Sequence, residues 1–119
     1  MFSILPATEE KTAVLANREN LELPVSALVL TVDEEEQGYA LFRVDRDTVE
    51  ILRLRSPEGE LEEWLVRAVL NAAANRNAIT AQCSETVLFP LLQRLGFFAN
   101  GKGYEVFIPE FFTRPCRGG

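Results

Sequence analysis

The hydrophobic pattern of this chain changes its period near Ser56. Upstream of that point, three apolar and β-branched runs separated by short polar turns predict three consecutive strands. They cover residues 27–32, 39–44 and 48–55. Downstream, apolar residues recur at helical spacing over residues 61–73, before another short apolar run at 78–83. Strands joined by short turns form an antiparallel meander, whereas a strand, a helix and a strand in succession imply a parallel crossover. The chain is therefore expected to form a mixed sheet.

The remaining elements are predicted from residues that cap or break helices. A first helix is expected over residues 9–20, and Ser56 with Pro57 supplies the cap and first position of the second helix. A third helix is expected over residues 84–95, with a bend at Pro90 near its middle. The features that follow are a helix-ending Gly96, a turn at residues 100–103, a strand at 104–108 and a loose tail at 113–119.

Length and composition limit the architecture and the partners. With 119 residues, of which 47% are hydrophobic, the chain is expected to fold as one domain over residues 1–119, with a shortened N-terminal strand and helix over residues 1–26. The net charge of −6 argues against a nucleic-acid partner, because phosphate binding needs clustered Lys and Arg. No apolar run approaches the roughly 18 residues of a membrane span, and the N-terminus does not resemble a signal peptide. We therefore expect no membrane partner and a cytoplasmic location.

The usage of histidine and cysteine limits the chemistry that the chain can perform. The sequence contains no histidine and two cysteines, Cys83 and Cys116. A histidine base is therefore excluded, and a disulfide framework is not expected. A metal site would have to be built from scattered carboxylates and two thiols, so no metal is expected.

The passage from Cys83 to Ile108 carries a resemblance to a known family. A strand ending in ITAQCS feeds a helix that closes on LQRLGFF, and the chain returns as YEVFI, so that Leu95, Gly96 and Phe97 follow the last helix. This passage resembles the last third of a GNAT-type N-acyltransferase domain, and the order of elements is similar over residues 27–108. The resemblance implies an α+β, GNAT-like (acyl-CoA N-acyltransferase-like) fold, with a central mixed sheet in which an antiparallel meander is followed by a β-α-β-α-β crossover.

The resemblance also implies a cofactor site, for acetyl-CoA or CoA. In this family the acyl-CoA lies where the fourth and fifth strands splay, and its pyrophosphate contacts backbone N–H groups of a loop written Q/R-x-x-G-x-G/A. The matching segment is residues 55–63, where the loop is about two residues short and Pro57 has no N–H to donate. Four acidic side chains stand where an anion would bind: Glu58, Glu60, Glu62 and Glu63. The cofactor-contacting candidates are Leu54, Arg55, Ser56, Gly59, Glu60 and Leu61.

Candidate catalytic residues follow from the same alignment. Enzymes of this family often have an asparagine just after the fifth strand and a tyrosine late in the next helix, and the matching positions here are Glu85 and Leu92. Glu85 is a candidate general base for an amine, or else a solvated carboxylate in a first helical turn. Glu50, on the fourth strand, is a second candidate base. Alternatively, it is one of the surface residues that alternate with buried residues along that strand.

A proton donor and a nucleophile can be considered beside these bases. Tyr104 and Tyr39 are the only phenols, and either is a candidate proton donor or a strand residue that packs its ring. Cys83 is either an acyl-accepting thiol, whose pKa a nearby helix N-terminus would lower, or a buried structural cysteine.

Two functions remain open at this stage. The first is an acyl-CoA-dependent N-acetyltransferase that acts on a small amine acceptor, for which the acidic composition favours a cationic amine. The second is a non-catalytic GNAT-fold module that binds a protein partner, or forms a homodimer through an aromatic C-terminal strand over residues 107–112. The loop at residues 55–63 discriminates between them, because its glutamates oppose the binding of CoA.

Overall fold

Seven strands form one mixed sheet in the computed structural model, which describes residues 1–57 and 59–113. In chain order the elements are β1 (Phe2–Pro6), α1 (Glu9–Arg18), β2 (Ser26–Val32), β3 (Glu35–Asp45), β4 (Thr48–Arg55), α2 (Glu60–Ala74), β5 (Thr80–Cys83), a 3₁₀ turn (Thr86–Leu88), α3 (Phe89–Arg94), β6 (Phe98–Ala99), β7 (Tyr104–Phe107) and α4 (Ile108–Thr113). The strands lie in the order β1-β2-β3-β4-β5-β7-β6, and only β4 and β5 are parallel. The predicted meander and the parallel crossover through α2 are confirmed.

Strand alternation separates the two long helices onto opposite faces of the sheet. One face carries Leu28, Ala40 and Phe42, which pack in the same cluster as the buried side of α2. The other face carries Ala27, Tyr39 and Leu41, which pack against Leu15 of α1. Because successive side chains of a strand point to opposite sides, neighbouring residues of β2 and β3 serve the two helices in turn. The result is a layer of sheet between α1 and α2.

The second helix begins later than the sequence predicts. Its N-cap is Gly59, and the backbone before it remains extended to Arg55, which pairs with Tyr39 of β3. The Ser56 hydroxyl donates to the Pro57 carbonyl at 2.7 Å instead of accepting from a backbone N–H of the helix. The predicted cap at Ser56 is therefore wrong, because pairing with β3 extends β4 to the residue before it.

The third helix is shorter than predicted and has no bend within it. A 3₁₀ turn precedes it, and α3 starts at Phe89, so Pro90 occupies the second helical position. A proline there removes an N–H that would have no partner inside the helix. Pro90 therefore starts the helix instead of bending it.

The C-terminal aromatic residues do not form the single strand that the sequence predicts. Strand β7 ends at Phe107 and the chain continues as α4. Phe111 is only 6% exposed, and its ring lies 6.2 Å from that of Phe97, with the Arg67 guanidinium 5.1 Å from its centre. Helical geometry allows Phe111 to reach the core, whereas Phe112 stays 44% exposed. Of the predicted loose tail, residues 114–119 lie outside the described residues.

Truncation of Phe111 tests how α4 docks. We expect Phe111→Ala to lower the free energy of unfolding by about 3 kcal/mol, because it removes a buried ring and leaves a cavity against Phe97. The matched control, Phe112→Ala, should cost about 1 kcal/mol or less, since its ring is half exposed. Urea denaturation measures both. Equal losses in the two variants would contradict the docked helix.

Candidate active site

A gap opens in the sheet where β4 and β5 part. The two strands pair in parallel only as far as Ile51 and Cys83. Strand β4 continues to Arg55 with β3 as its partner, while the chain after β5 turns into the 3₁₀ turn. Beyond Ile51, β4 therefore has a strand partner on one side only. This gap is the splay that the sequence resemblance predicts between the fourth and fifth strands.

A register shift in β4 coincides with the start of this gap. Leu41 pairs with Arg53 and Phe42 pairs with Ile51, so Leu52 is an extra residue in the ladder. Ile51 packs on the α2 face, but after this bulge Arg53 lies opposite Leu41, on the α1 face. Bulges often redirect side chains in this way next to functional sites. The bulge puts both Arg53 and Arg55 on the α1 face of the sheet.

Two glycines fix the strand ends on either side of the gap. A Cβ atom on Gly38 would lie 2.2 Å from the Arg55 carbonyl oxygen, at the end of β4. A Cβ atom on Gly103 would lie 2.2 Å from the Cys83 carbonyl oxygen, at the end of β5. Both distances are too short for any side chain, so only glycine permits these backbone contacts.

The N-terminus of α2 lies directly after the end of β4. Its first turn offers backbone N–H groups without helical partners, which favour an anion, but it also carries three acidic side chains. Glu63 accepts a hydrogen bond from Arg67 at 3.1 Å, while Glu60 is exposed. Glu58 lies outside the described residues. Among the other cofactor candidates, Leu54 is buried in the core and Leu61 packs against it, so these two residues can offer only their backbone to a ligand.

A partly buried carboxylate organises the α1 face beside the gap. Glu19, which follows α1 and is only 10% exposed at its side chain, accepts hydrogen bonds from Arg55 Nη2 at 2.7 Å and from Arg55 Nε at 3.2 Å. The Tyr39 hydroxyl donates to the same carboxylate. Arg53 Nε lies 3.4 Å from Glu19 Oε1. Glu19 therefore holds both arginines of β4 against α1.

Glu85 reaches across the gap toward the same two arginines. Its Oε1 lies 3.6 Å from Arg55 Nη1, and its Oε2 lies 3.8 Å from Arg53 Nη1. Glu85 follows β5, while the arginines belong to β4, so these ion pairs connect the two sides of the gap. These ion pairs are weak, because their N–O distances are long and because the Glu85 side chain is 26% exposed, so solvent screens the charges.

The structure separates the other two catalytic candidates from each other. Glu50 is exposed on the α1 face, opposite Gln82 of β5 and one residue before the gap begins. Tyr104 pairs with Cys83 but packs on the α2 side of the sheet, where its ring centre lies 4.8 Å from that of Phe89. Of the three candidates, only Glu85 contacts the arginines.

Glu19 and Arg53 were not predicted from the sequence. The alternation of apolar and polar residues along β4 could have indicated Arg53. No local pattern could have indicated Glu19, because it lies far from β4 in the chain.

The charges of this cluster shift the pKa values of Glu19 and Tyr39. Burial by itself would raise the pKa of Glu19, but hydrogen bonds from Tyr39 and Arg55, together with the positive charges of Arg55 and Arg53, lower it overall. Burial, and then the hydrogen bond to the Glu19 carboxylate, raises the pKa of Tyr39. Glu19 is therefore ionised and Tyr39 is neutral at pH 7.

Of the two interpretations of Cys83, the structure supports the buried structural cysteine. Burial raises the pKa of the Cys83 thiol to about 11, and the negative charges of Glu85 and Glu50 act in the same direction, against a hydrogen bond from the Glu85 backbone. The side chain is 2% exposed and belongs to the main core. Cys83 is thus a structural cysteine, and Cys116 lies outside the described residues.

A separate cleft of about 590 Å³ lies beside the start of β2 and the end of α2. Its lining includes Pro24, Ala27, Phe42 and Arg76. None of the predicted site residues contributes to it. Within residues 1–57 and 59–113, no group of three or more acidic or thiol side chains is placed to hold a metal, and no helix is long and apolar enough to cross a membrane.

Solved structures with the same architecture are found among GNAT acetyltransferases. A protein from Klebsiella pneumoniae subsp. pneumoniae MGH 78578, assigned as an acyl-CoA N-acyltransferase, has a TM-score of 0.68 at 22% identity, over 91% of this chain and 98% of that one. A protein from Exiguobacterium sp. 255-15, assigned as an acetyltransferase, has a TM-score of 0.68 at 11% identity, over 96% and 99% of the two chains. A GNAT family acetyltransferase from Elizabethkingia anophelis, solved with acetyl-CoA bound, has a TM-score of 0.64 at 16% identity, over 83% and 77%.

Comparisons of sequence alone give no match, either to a family model or to a curated protein. The likeness in structure shows the fold. The chain forms a GNAT-like domain, and the predicted α+β class with its mixed sheet is confirmed.

Glu19 should make the stability of the protein depend on pH. Because its pKa is lower in the folded state, its contribution is present above the ordinary glutamate pKa and is lost as the pH falls through the folded value. We expect Glu19→Gln to lower the free energy of unfolding by about 1 kcal/mol at pH 7, since the arginines lose a partly buried, charged partner. The difference between the parent and the variant should shrink on acidification. Urea denaturation from pH 7 to pH 3 measures it, with Glu22→Gln, at an exposed glutamate, as the control.

Thiol labelling tests the assignment of Cys83 as structural. In a Cys116→Ser background, a chromogenic thiol reagent at pH 7.5 should modify native Cys83 at least about 100-fold more slowly than the urea-unfolded protein, because the folded thiol is buried and its pKa is raised. Rapid labelling of the native protein would instead indicate an accessible, reactive thiol.

Proposed function

We propose that this protein is an N-acetyltransferase that transfers the acetyl group of acetyl-CoA to a small amine. The observation that carries the proposal is the gap between β4 and β5, with the first turn of α2 directly after the end of β4. In this proposal a thin part of the cofactor lies in the gap, and the helix N-terminus favours an anion at its entrance. Solved GNAT acetyltransferases with this fold support the proposal, including one with acetyl-CoA bound. The cytoplasm is the proposed compartment.

The backbone of Gly59, Glu60 and Leu61, together with that of Arg55 and Ser56, is the proposed contact for the pyrophosphate of CoA. Gly59, the N-cap of α2, has open space around its Cα, so a phosphate can approach the backbone there. The side chains oppose this contact, since each glutamate charge about 6 Å from a phosphate costs about 0.7 kcal/mol in water-like surroundings. We therefore expect binding that depends mainly on the backbone and is weaker than the fold by itself would allow.

Glu85 is the proposed general base. The amine nitrogen attacks the thioester carbonyl, the new C–N bond forms as the C–S bond breaks, and Glu85 accepts the proton that the amine loses. CoA leaves as a thiolate that takes up a proton. Tyr104, beside the end of β5, is the candidate donor of that proton, and Glu50 is the alternative base at the start of the gap. Backbone N–H groups on the edge of β4 that faces the gap are the proposed donors that polarise the carbonyl.

The acidic first turn of α2 favours a second candidate, a GNAT-fold module without catalysis. In this alternative the glutamates close the cofactor site, and the domain binds a protein partner or a second copy of itself. Phe107 and Phe112 remain about half exposed near the C-terminal end and are the proposed contact for a homodimer. Occupancy of the site by CoA separates the two candidates.

Calorimetric titration of acetyl-CoA and CoA at low salt tests the proposed function. We expect saturable binding by the parent, and about tenfold tighter binding by a Glu60→Gln, Glu62→Gln double variant, because two repulsive charges are removed. The matched control is a Glu9→Gln, Glu10→Gln variant, which removes two glutamates from the first turn of α1 and should bind like the parent.

The other outcomes of this titration are equally decisive. Binding by the double variant alone would identify a site that its own glutamates close, and would favour the module. Absence of binding by both proteins would reject the acetyltransferase.

A further inference from the structure

The arginines of β4 form a cationic pair whose orientation is fixed before any ligand binds. Arg55 donates through Nε and Nη2 to the partly buried Glu19 carboxylate, and its Nη1 lies toward Glu85. Arg53 lies against the same carboxylate, and its Nη1 donates to the Leu52 carbonyl at 2.7 Å. Glu19 thus holds both guanidinium groups. A ligand that binds them does not have to restrict their long side chains again.

This pair retains donors that face the gap. Arg55 Nη1 lies 3.5 Å from the Leu54 carbonyl and 3.6 Å from Glu85, which are both long for a hydrogen bond. Arg53 Nη2 has no hydrogen-bond partner among residues 1–57 and 59–113. Planar guanidinium groups bind planar carboxylates well, as they also bind phosphates, because two parallel N–H donors match two oxygens.

Glu85 shows that a carboxylate is accommodated in front of the pair. Its oxygens lie 3.6 Å and 3.8 Å from the two Nη1 atoms, so it satisfies their charge without making close hydrogen bonds. It is the residue before a short 3₁₀ turn, and its side chain is 26% exposed to solvent. A ligand carboxylate that makes bonds of normal length can therefore displace it from the arginines.

The charge of the cluster favours a zwitterion over a simple cation. The formal charges of the two arginines and the two glutamates sum to zero, and a zwitterionic amino acid adds no net charge to the cluster. An amine without a carboxylate brings a positive charge close to two fixed guanidinium groups. The cluster also lies on the α1 face, opposite the face that α2 covers, so an acceptor reaching it approaches the gap from the side away from α2.

We propose that the acceptor is a free amino acid, whose carboxylate binds Arg53 and Arg55 and whose amino group lies against Glu85. This inference rests on the proposed acetyltransferase function and names its acceptor class. It differs from the expectation of a purely cationic amine that the acidic composition favours.

A paired substrate panel tests the proposal on the unmodified protein. Each amino acid is compared with the amine that lacks only its carboxylate, as in leucine against 3-methylbutylamine, phenylalanine against 2-phenylethylamine, and lysine against 1,5-diaminopentane. Release of the CoA thiol from acetyl-CoA is followed. We expect kcat/KM to be at least tenfold higher for the amino acid in the pair that is accepted best. Equal or higher values for the amines would overturn the proposal.

Variants locate the effect at the arginine pair. Arg53→Lys keeps a positive charge near Glu19 but loses the planar pair of donors, and it should raise the KM for the amino acid about tenfold while leaving the KM for acetyl-CoA unchanged. The control, Arg94→Gln, changes an exposed arginine in the last turn of α3 and should leave both constants unchanged. If the Arg53→Lys protein is folded and still prefers amino acids to the matched amines, the assignment of the arginine pair as the carboxylate site is wrong.

Direct binding separates failure of this inference from failure of the proposed function. Calorimetry with amino acids and their matched amines, in the absence of CoA, reports on the arginine pair alone. Selective binding of amino acids without any CoA binding would reject the acetyltransferase and retain the carboxylate site. Binding of CoA without selective binding or selective use of amino acids would reject the carboxylate site and retain the acetyltransferase.

Discussion

The bulge at Leu52 is the constraint on which the candidate site depends. It shifts the register of β4 against β3 by one residue, just after the last pair that β4 makes with β5. Because a shift of one residue moves every later side chain to the other face, Arg53 leaves the α2 side of the sheet and lies on the α1 side. The same short stretch of backbone thus opens the gap and turns two cations toward it.

Glu19 then joins the α1 layer to this edge of the sheet. Taking a carboxylate out of water is costly, and two arginines and a phenol compensate for the cost here. The cation pair is consequently rigid on the side that faces Glu19 and weakly bound on the side that faces Glu85. At the entrance of the gap the electrostatics are opposite in sign, since the first turn of α2 presents carboxylates where CoA would place phosphates. An affinity for the acceptor that exceeds that for CoA would be consistent with this distribution of charge.

Sequence patterns predicted the elements better than their ends. Periodicity identified the meander and α2 because burial on one side repeats along each element. The start of α2 was misplaced, since β4 continues to pair with β3 as far as Arg55 and Ser56 is not used as a cap. The sequence predicts a strand for the aromatic run over residues 107–112, but the chain after Phe107 is helical. Composition does not reveal that Phe111 reaches the core because this segment is a helix. In the site, the sequence predicts Glu85 and Arg55 as candidate residues, but it predicts neither Arg53 nor Glu19.

The sequence by itself determined the order of the elements from α1 to α3, the absence of a histidine base and the acidic start of α2. Each of these follows from local sequence pattern or from composition. Only the tertiary structure decided which side chains meet at the gap. Glu19, Arg53 and Glu85 come from three separate elements, and the face on which Arg53 lies depends on a bulge that forms only when β4 pairs with β3. Strand register is a relation between two segments, and the alternation within one segment does not contain it.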